Sequence, residues 1–284
     1  MSADLPAVRA DDADDAAGIP GAAVRPQHLI VTVFGRYVRA HGGVIQIADL
    51  IEMMAALGAD SSAVRSAVSR LKQRGVLVSM RSGGGAAYRL ADSLEGVFSA
   101  GDRRIFEERR AQPSDPWLLA SFSVPERERP LRHQLRRLLQ RLGFGQVNGG
   151  LWIAPGLIAD ETRMALRRAG LDGFVELFLG DRLSEDDLVL AVRRWWDLPA
   201  LEPLYRDFVE GFSDVLDEKL TDGEAFAGHV GAITRWRRLT YLDPGIPLEL
   251  LPDGWAGVEA ERLFAELHHR LEPAAERFVT AVMS

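Results

Sequence analysis

The stretch "SSAVRSAVSRLKQRGVLVSMRSGGGAAYRL", Ser61 to Leu90, holds a concentration of side chains suited to chemistry. Ser62, Arg65, Ser66, Ser69, Arg70 and Gln73 recur at intervals of three or four residues. At helical spacing they share one arc, and Val64, Ala67, Val68 and Leu71 share the opposite one. Short hydroxyls let a backbone come close to a partner. A guanidinium offers a planar fork that takes a guanine edge or a phosphate. Lys72 and Arg74 add charge that reaches phosphates. The chemistry this pattern supports is recognition of a nucleic-acid groove. A solvated polar face on a surface helix has the same pattern, so the neighbouring elements must decide. Arg81 and Arg89 flank "SGGGAAY" and are candidates for backbone-phosphate or minor-groove contacts, or for plain surface arginines. No Gly-Lys-Ser/Thr follows those glycines and no helix starts there, so they read as a hairpin tip and not as a phosphate loop.

Other chemistries find less support. The chain has no cysteine, which removes disulfides and thiolate metal sites and suits a reducing interior. Six histidines (His28, His41, His133, His229, His268 and His269) show no metal-ligand spacing. No serine sits in a nucleophile elbow, and the carboxylates show no pairing that the sequence can place. The expectation is a protein without enzyme activity, resident metal or cofactor. No apolar run approaches eighteen residues, and the first two dozen residues lack a basic-then-apolar signal pattern, so no membrane partner and a cytoplasmic location are expected.

Stepping outward from the helix at Ser62–Arg74, two more helices precede it. Gln27–His41 repeats apolar residues at Leu29, Val33, Phe34, Tyr37 and Val38, and Gly42-Gly43 ends it. Gln46–Leu57 turns Ile47, Leu50, Ile51 and Met54 inward, and Gly58 stops it. Asp60 or Ser61 caps the third helix and Gly75 ends it. Val76–Met80 and Ala86–Leu90 then read as two strands of a hairpin. Three helices and a hairpin describe a winged helix-turn-helix over residues 26–95, and that context favours duplex DNA as what the polar face touches. Charge agrees: residues 25–110 carry net +5 inside a chain of net −7, and phosphates respond to the local patch.

Residues 1–25 are rich in Ala and Asp without apolar period and read as a disordered acidic tail. Residues 115–200 alternate strand and helix: Trp117–Val124, Leu131–Leu142 with the stripe Leu131, Leu135, Leu138 and Leu142, Gly149–Pro155, Asp160–Ala169 and Gly173–Gly180. That order suggests a ferredoxin-like α+β sandwich, followed by a helix Ser184–Trp196 opening on the capping pattern "SEDD". Residues 201–284 read as a mostly helical, acidic domain with helices Pro203–Leu220, Gly223–Leu242 and Ala256–Val282. The expected fold class is α+β and multidomain.

Three motifs carry a resemblance. "LIVTVFGRYVRAHGG", "AVRSAVSRLKQRGVL" and "YRL" resemble the N-terminal region of the phenylacetic acid degradation repressors, the PaaX-like family. "LRHQLRRLLQRLGFG" and "GGLWIAPG" resemble that family's middle domain. "RRLTYLDPGIPLELLPDGWAGVEAERLFAEL" resembles its C-terminal signature through Asp243-Pro244, Pro247, Leu250-Leu251-Pro252, Trp255 and Gly257. The resemblance implies a dimeric bacterial transcriptional repressor of an aromatic-acid catabolic operon. A two-fold dimer would meet an inverted-repeat operator and leave it on binding an aromatic acyl-CoA thioester, typically phenylacetyl-CoA.

Two departures stand out: the wing is less basic and aromatic than the family's, and Trp255-Ala256-Gly257 replaces Trp-Pro-Gly. A thioester of this kind calls for cations, stacking aromatics and an apolar slot. Arg193, Arg194, Trp195 and Trp196 offer that mix, as do Arg235, Trp236 and Arg238; both runs also read as ordinary helix faces with a core tryptophan. The family's middle domain looks like a CRISPR spacer-acquisition nuclease subunit, which ends its first strand on a metal-binding Asp. Here Ser123 stands at that end and Asp115 precedes the strand, so the resemblance implies the fold and dimer contacts without the activity. A metal-dependent nuclease or other nucleic-acid-processing protein is the alternative function.

Overall fold

The computed structural model describes residues 24–82, 85–107, 110–183 and 187–284. The expected acidic tail, the hairpin tip at Gly83 and Gly84, and the cap beginning at Ser184 lie outside these residues, apart from Val24 and Arg25. The chain divides into two compact units. One comprises residues 1–105, 207–237 and 258–284, the other 106–206 and 238–257.

In the first unit, α1 (Pro26–Val33) runs on into one wider helical turn, Phe34–Val38, where the Arg39 amide donates to Phe34 O at 3.1 Å. A short strand β1 (Val44–Gln46) leads into α2 (Ile47–Ala56). The chain then turns through Leu57–Asp60, with Gly58 at φ +75°, a region that other residues enter only under strain. α3 (Ser61–Gln73) follows. Asp60 Oδ1 accepts from the amides of Ser62 and Ala63 at 2.9 Å each, satisfying two donors of the first turn. β2 (Leu77–Ser82) and β3 (Gly85–Leu90) pair antiparallel. β1, which the apolar pattern does not reveal, pairs with the far side of β3 and gives the order β1-β3-β2.

α4 (Glu95–Phe106) also escapes the sequence reading, because its glycines, serine and charges blur the apolar period. Arg39, which caps the wider turn after α1, ties α4 to that turn by donating to Asp102 Oδ2 and Glu95 Oε1 at 2.7 Å each.

The second unit runs β4 (Trp117–Phe122), α5 (Arg129–Arg141), β5 (Gly145–Gln146), β6 (Leu151–Pro155), α6 (Ala159–Ala169) and β7 (Val175–Gly180), and its four strands form an antiparallel sheet in the order β5-β6-β4-β7. The two-residue strand β5 adds a β-β step to the expected alternation. Leu135, Leu138, Leu139 and Leu166 from the helices share a core with Leu118, Ala120, Trp152 and Ala154 from the sheet. Asp187 caps α7 (Leu188–Trp195), accepting from the Val189 amide at 2.8 Å.

The last three helices are α8 (Leu198–Phe212), α9 (Asp222–Leu242) and α10 (Ala256–Val282). α8 stops at Phe212, short of the expected Leu220, and a single tight turn at Asp214–Leu216 follows. Residues 201–284 do not gather into a body of their own. Phe226, Val230, Ala275 and Val279 pack in one core with Ile30, Phe34, Tyr37, Leu50 and Val68 of the first unit, whereas residues 238–257 belong to the second. Stripes of α9 and α10 that read as a separate helical domain are therefore the other half of the N-terminal core.

Candidate nucleic-acid interface

α3 divides cleanly by face. Val64, Ala67, Val68 and Leu71 are buried, with 0–2% of their surface exposed. Ser62, Arg65, Ser66, Ser69, Arg70 and Gln73 are exposed, as their spacing predicts, and so is Lys72. The apolar arc docks against α1 and α2, so burial fixes which arc faces outward. Arg65 has no hydrogen bond or ion pair among the described residues. Arg70 lies along the helix, its Nε donating to Ser66 O at 3.3 Å. The Ser62 hydroxyl donates to Asp60 Oδ1 at 2.7 Å and keeps its acceptor lone pairs. That bond, with the Ala63 amide, holds the Asp60 carboxyl below the usual carboxylate range.

The remaining sequence candidates behave differently from one another. Lys72 lies 5.8 Å above the Tyr88 ring, which steers its ammonium toward β3. Arg74 forms the C-cap of α3 and is half-buried, so it stands apart from the exposed arc. Arg81 is exposed on β2, an edge strand. Arg89 sits on the central strand β3, pairs with Asp92 and donates to Leu90 O at 3.1 Å. A phosphate contact from Arg89 would have to displace Asp92. The structure thus brings Ser62, Arg65, Ser66, Ser69, Arg70 and Gln73 onto one face and ties Arg89 into the sheet.

The two arginine–tryptophan runs are built mainly as packing. Trp195 and Trp196 form a cluster with Trp117, at centroid distances of 6.1–6.3 Å. Trp196 is buried, and its indole donates to Gly143 O at 2.8 Å. A Cβ on Gly145 would come within 2.8 Å of that indole, so only glycine fits there. Arg193 and Arg194 are exposed on α7. Trp236 is buried in the first unit, stacked on Phe264 at 4.9 Å, and Arg235 lies over Phe212 at 5.3 Å. Arg238 belongs to the second unit, where burial lowers its pKa. Both buried indoles, Trp196 and Trp236, already have ring partners.

The C-terminal signature is also structural. Asp243 is buried; its Oδ2 accepts from the Tyr205 hydroxyl at 3.0 Å and from Arg110, and its Oδ1 accepts from the amides of Gly245 and Ile246 at 3.0 and 3.2 Å. Trp255 packs edge-on against Tyr205 at 5.7 Å. In the middle domain, Ser123 follows β4 as an exposed residue. Asp115 closes a turn by accepting from the Gln112 amide at 2.9 Å. Among the described residues no three His, Asp or Glu side chains converge as metal ligands would, and no helix is long and apolar enough to cross a membrane.

One buried polar chain escapes any reading of the sequence. Tyr37 Oη lies 2.6 Å from His229 Nδ1, and His229 Nε2 lies 2.8 Å from His268 Nδ1. His268 Nε2 then faces Glu272 at 3.8 Å, and Glu272 pairs with Arg36, which returns the chain to the turn that also holds Tyr37. Burial, and then the charges of His268 and Arg36, push the His229 pKa down to about 3. The partners are 39 and 192 residues apart, so no local spacing announces them.

Three family descriptions match this chain: PaaX-like protein over residues 25–94, PaaX protein central Cas2-like domain over residues 110–189, and PaaX-like protein C-terminal domain over residues 196–281. The transcriptional repressor PaaX of Escherichia coli (strain K12) is 28% identical over 261 residues, covering 89% of this chain and 82% of that protein. Among solved structures, the uncharacterized protein Rv0674 from Mycobacterium tuberculosis shares the fold. It has a TM-score of 0.56 and 20% identity, with 91% of this chain and 99% of that one covered. With its three segments matched in order along nearly all the described chain, the protein belongs to the PaaX-like family.

Proposed function

We infer that the protein is a DNA-binding transcriptional repressor of phenylacetate-type catabolism, and that α1–α3 with the β1-β3-β2 sheet act as a winged helix-turn-helix. One observation carries this reading: α3 follows α2 after a four-residue turn, buries its whole apolar arc and leaves Arg65, Arg70, Gln73 and three serines exposed on the other. Likeness to a transcriptional repressor along 89% of the chain supports it. α3 enters the major groove, where Arg65 and Arg70 take base edges or phosphates and Ser62, Ser66, Ser69 and Gln73 support them. Lys72 and Arg81 reach the backbone, and the middle domain is a ferredoxin-like module. Two copies read an inverted repeat, one half-site each.

An aryl-acyl-CoA thioester such as phenylacetyl-CoA ends binding by preferring the DNA-free arrangement, since only a differential affinity moves such an equilibrium. The exposed Arg193 and Arg194 remain candidates for its phosphates. The test is selection of bound duplexes from a random pool, with and without phenylacetyl-CoA. The expected result is one inverted-repeat motif that the thioester depletes. A pool with no enriched sequence overturns the repressor reading. Enrichment that the thioester leaves untouched overturns only the effector, and Mg²⁺-dependent cleavage of the pool favours a nuclease instead. Arg65→Ala should cost about 1–3 kcal/mol of discrimination between operator and random duplex, measured as the change in the ratio of the two dissociation constants.

A further inference from the structure

α5 lies in the second unit, away in sequence from the face just described, and reads "RPLRHQLRRLLQR", five arginines and no acid in thirteen residues. Its buried side is accounted for by Leu135, Leu138 and Leu139 in the core of the sandwich. Two of its arginines serve the fold: Arg132 donates to Glu126 Oε2 at 3.1 Å and Val124 O at 2.6 Å, and Arg136 donates to Gly149 O at 3.1 Å. Arg129, His133 and Arg137 are different. They stand at i, i+4 and i+8, all exposed, and none has a hydrogen bond or ion pair among the described residues. With Pro130 and Gln134 they line a shallow open depression of about 390 Å³.

Resting on the DNA-binding reading above, we propose that the Arg129–His133–Arg137 face of α5 is a second nucleic-acid contact surface, which holds the sugar-phosphate backbone of duplex DNA without reading sequence. The shape of the charge selects that occupant. A small phosphorylated ligand needs donors that converge on one point from several elements. These donors are strung in a line on one helix, and eight residues at the helical rise separate Arg129 from Arg137 by about 12 Å. A duplex strand presents a phosphate about every 3.4 Å of axis, so such a line meets several in succession. The three donors all come from the flank of one helix, which the polar turn Glu126–Glu128 precedes.

The experiment measures binding of the full chain to labelled random-sequence duplex DNA across a range of KCl, for wild type and for Arg129→Ala/Arg137→Ala. Random duplex isolates the phosphate component, whose salt slope counts the contacts. The expected result is a slope shallower by about 2 in the double variant, with an unchanged thermal midpoint because both side chains are exposed. An unchanged slope overturns the proposal and leaves the α3 reading intact. Wild type that ignores all duplexes at low salt overturns both. A third arm titrates coenzyme A alone by calorimetry. Loss of coenzyme A binding in the double variant, with the DNA slope unmoved, overturns the proposal by giving the surface to a small ligand.

Discussion

His229 is fully buried, with both ring nitrogens in hydrogen bonds, one to the Tyr37 hydroxyl and one to His268. One assignment of protons satisfies every atom with neutral rings. Tyr37 donates to Nδ1, His229 Nε2–H donates to His268, and His268 Nε2–H points at Glu272. Burial, then the neighbouring His268 and the Arg36 charge, disfavour the protonated ring, and the pKa falls from 6.5 to about 3. The unfolded chain takes up this proton near 6.5 and the folded chain only near 3, so the unfolded state holds more protons within that window. Stability is therefore full above pH 6.5 and drains as pH falls toward 3. Near pH 5 the loss attributable to this residue is about 2 kcal/mol. Thermal unfolding across pH checks it: the acid-side fall in midpoint should flatten in His229→Gln, and an equally steep fall in the variant would remove His229 as its cause.

At the scale of elements, the α2–turn–α3 segment combines three local devices: a glycine at φ +75°, an Asp cap and an apolar arc. Each leads to a separable outcome. Gly58→Val puts a β-branched residue in left-handed backbone and should cost about 1 kcal/mol or more, read as a drop in the urea midpoint. Leu71→Ala opens a cavity under α3 and should cost about 2–5 kcal/mol by the same measurement. Ser69→Ala, on the outward arc, should leave that midpoint in place while weakening duplex binding. If Ser69→Ala shifts the midpoint as much as Leu71→Ala, the division of faces that supports the DNA reading is wrong.

Across the whole molecule, the N-terminal helices owe much of their core to residues about two hundred positions later. Phe226 has no exposed surface and lies 5.4 Å from the Tyr37 ring and 4.9 Å from Phe278. Thr234 completes the join with a 2.8 Å hydrogen bond to Thr32. The element that carries α3 is therefore not self-sufficient. Phe226→Ala should destabilise it by about 3–5 kcal/mol, and hydrogen exchange should show the amides of α1–α3 losing protection, although the substitution is remote in sequence. Unchanged protection in α1–α3 would mean that the N-terminal helices stand alone.

Local pattern alone settled much of this protein. The facing of α3 followed from a 3.6-residue period, and its start from the pair of capping candidates Asp60 and Ser61, of which Asp60 is the cap. The alternation of strand and helix in residues 115–180 was equally legible, because each of these signals lies within a few neighbouring residues. Tertiary structure decided what depends on meetings between distant segments. β1 exists because β3 offers it a partner. Arg89 is occupied by a turn that brings Asp92 under it. Tryptophans that looked ready to stack on a ligand are filled by Trp117 and Phe264. The stripes of α9 and α10 are committed to α1, and the histidine chain is assembled from three segments. A side chain's type and spacing state what it can bond to, but which partner reaches it first is fixed only when the chain packs.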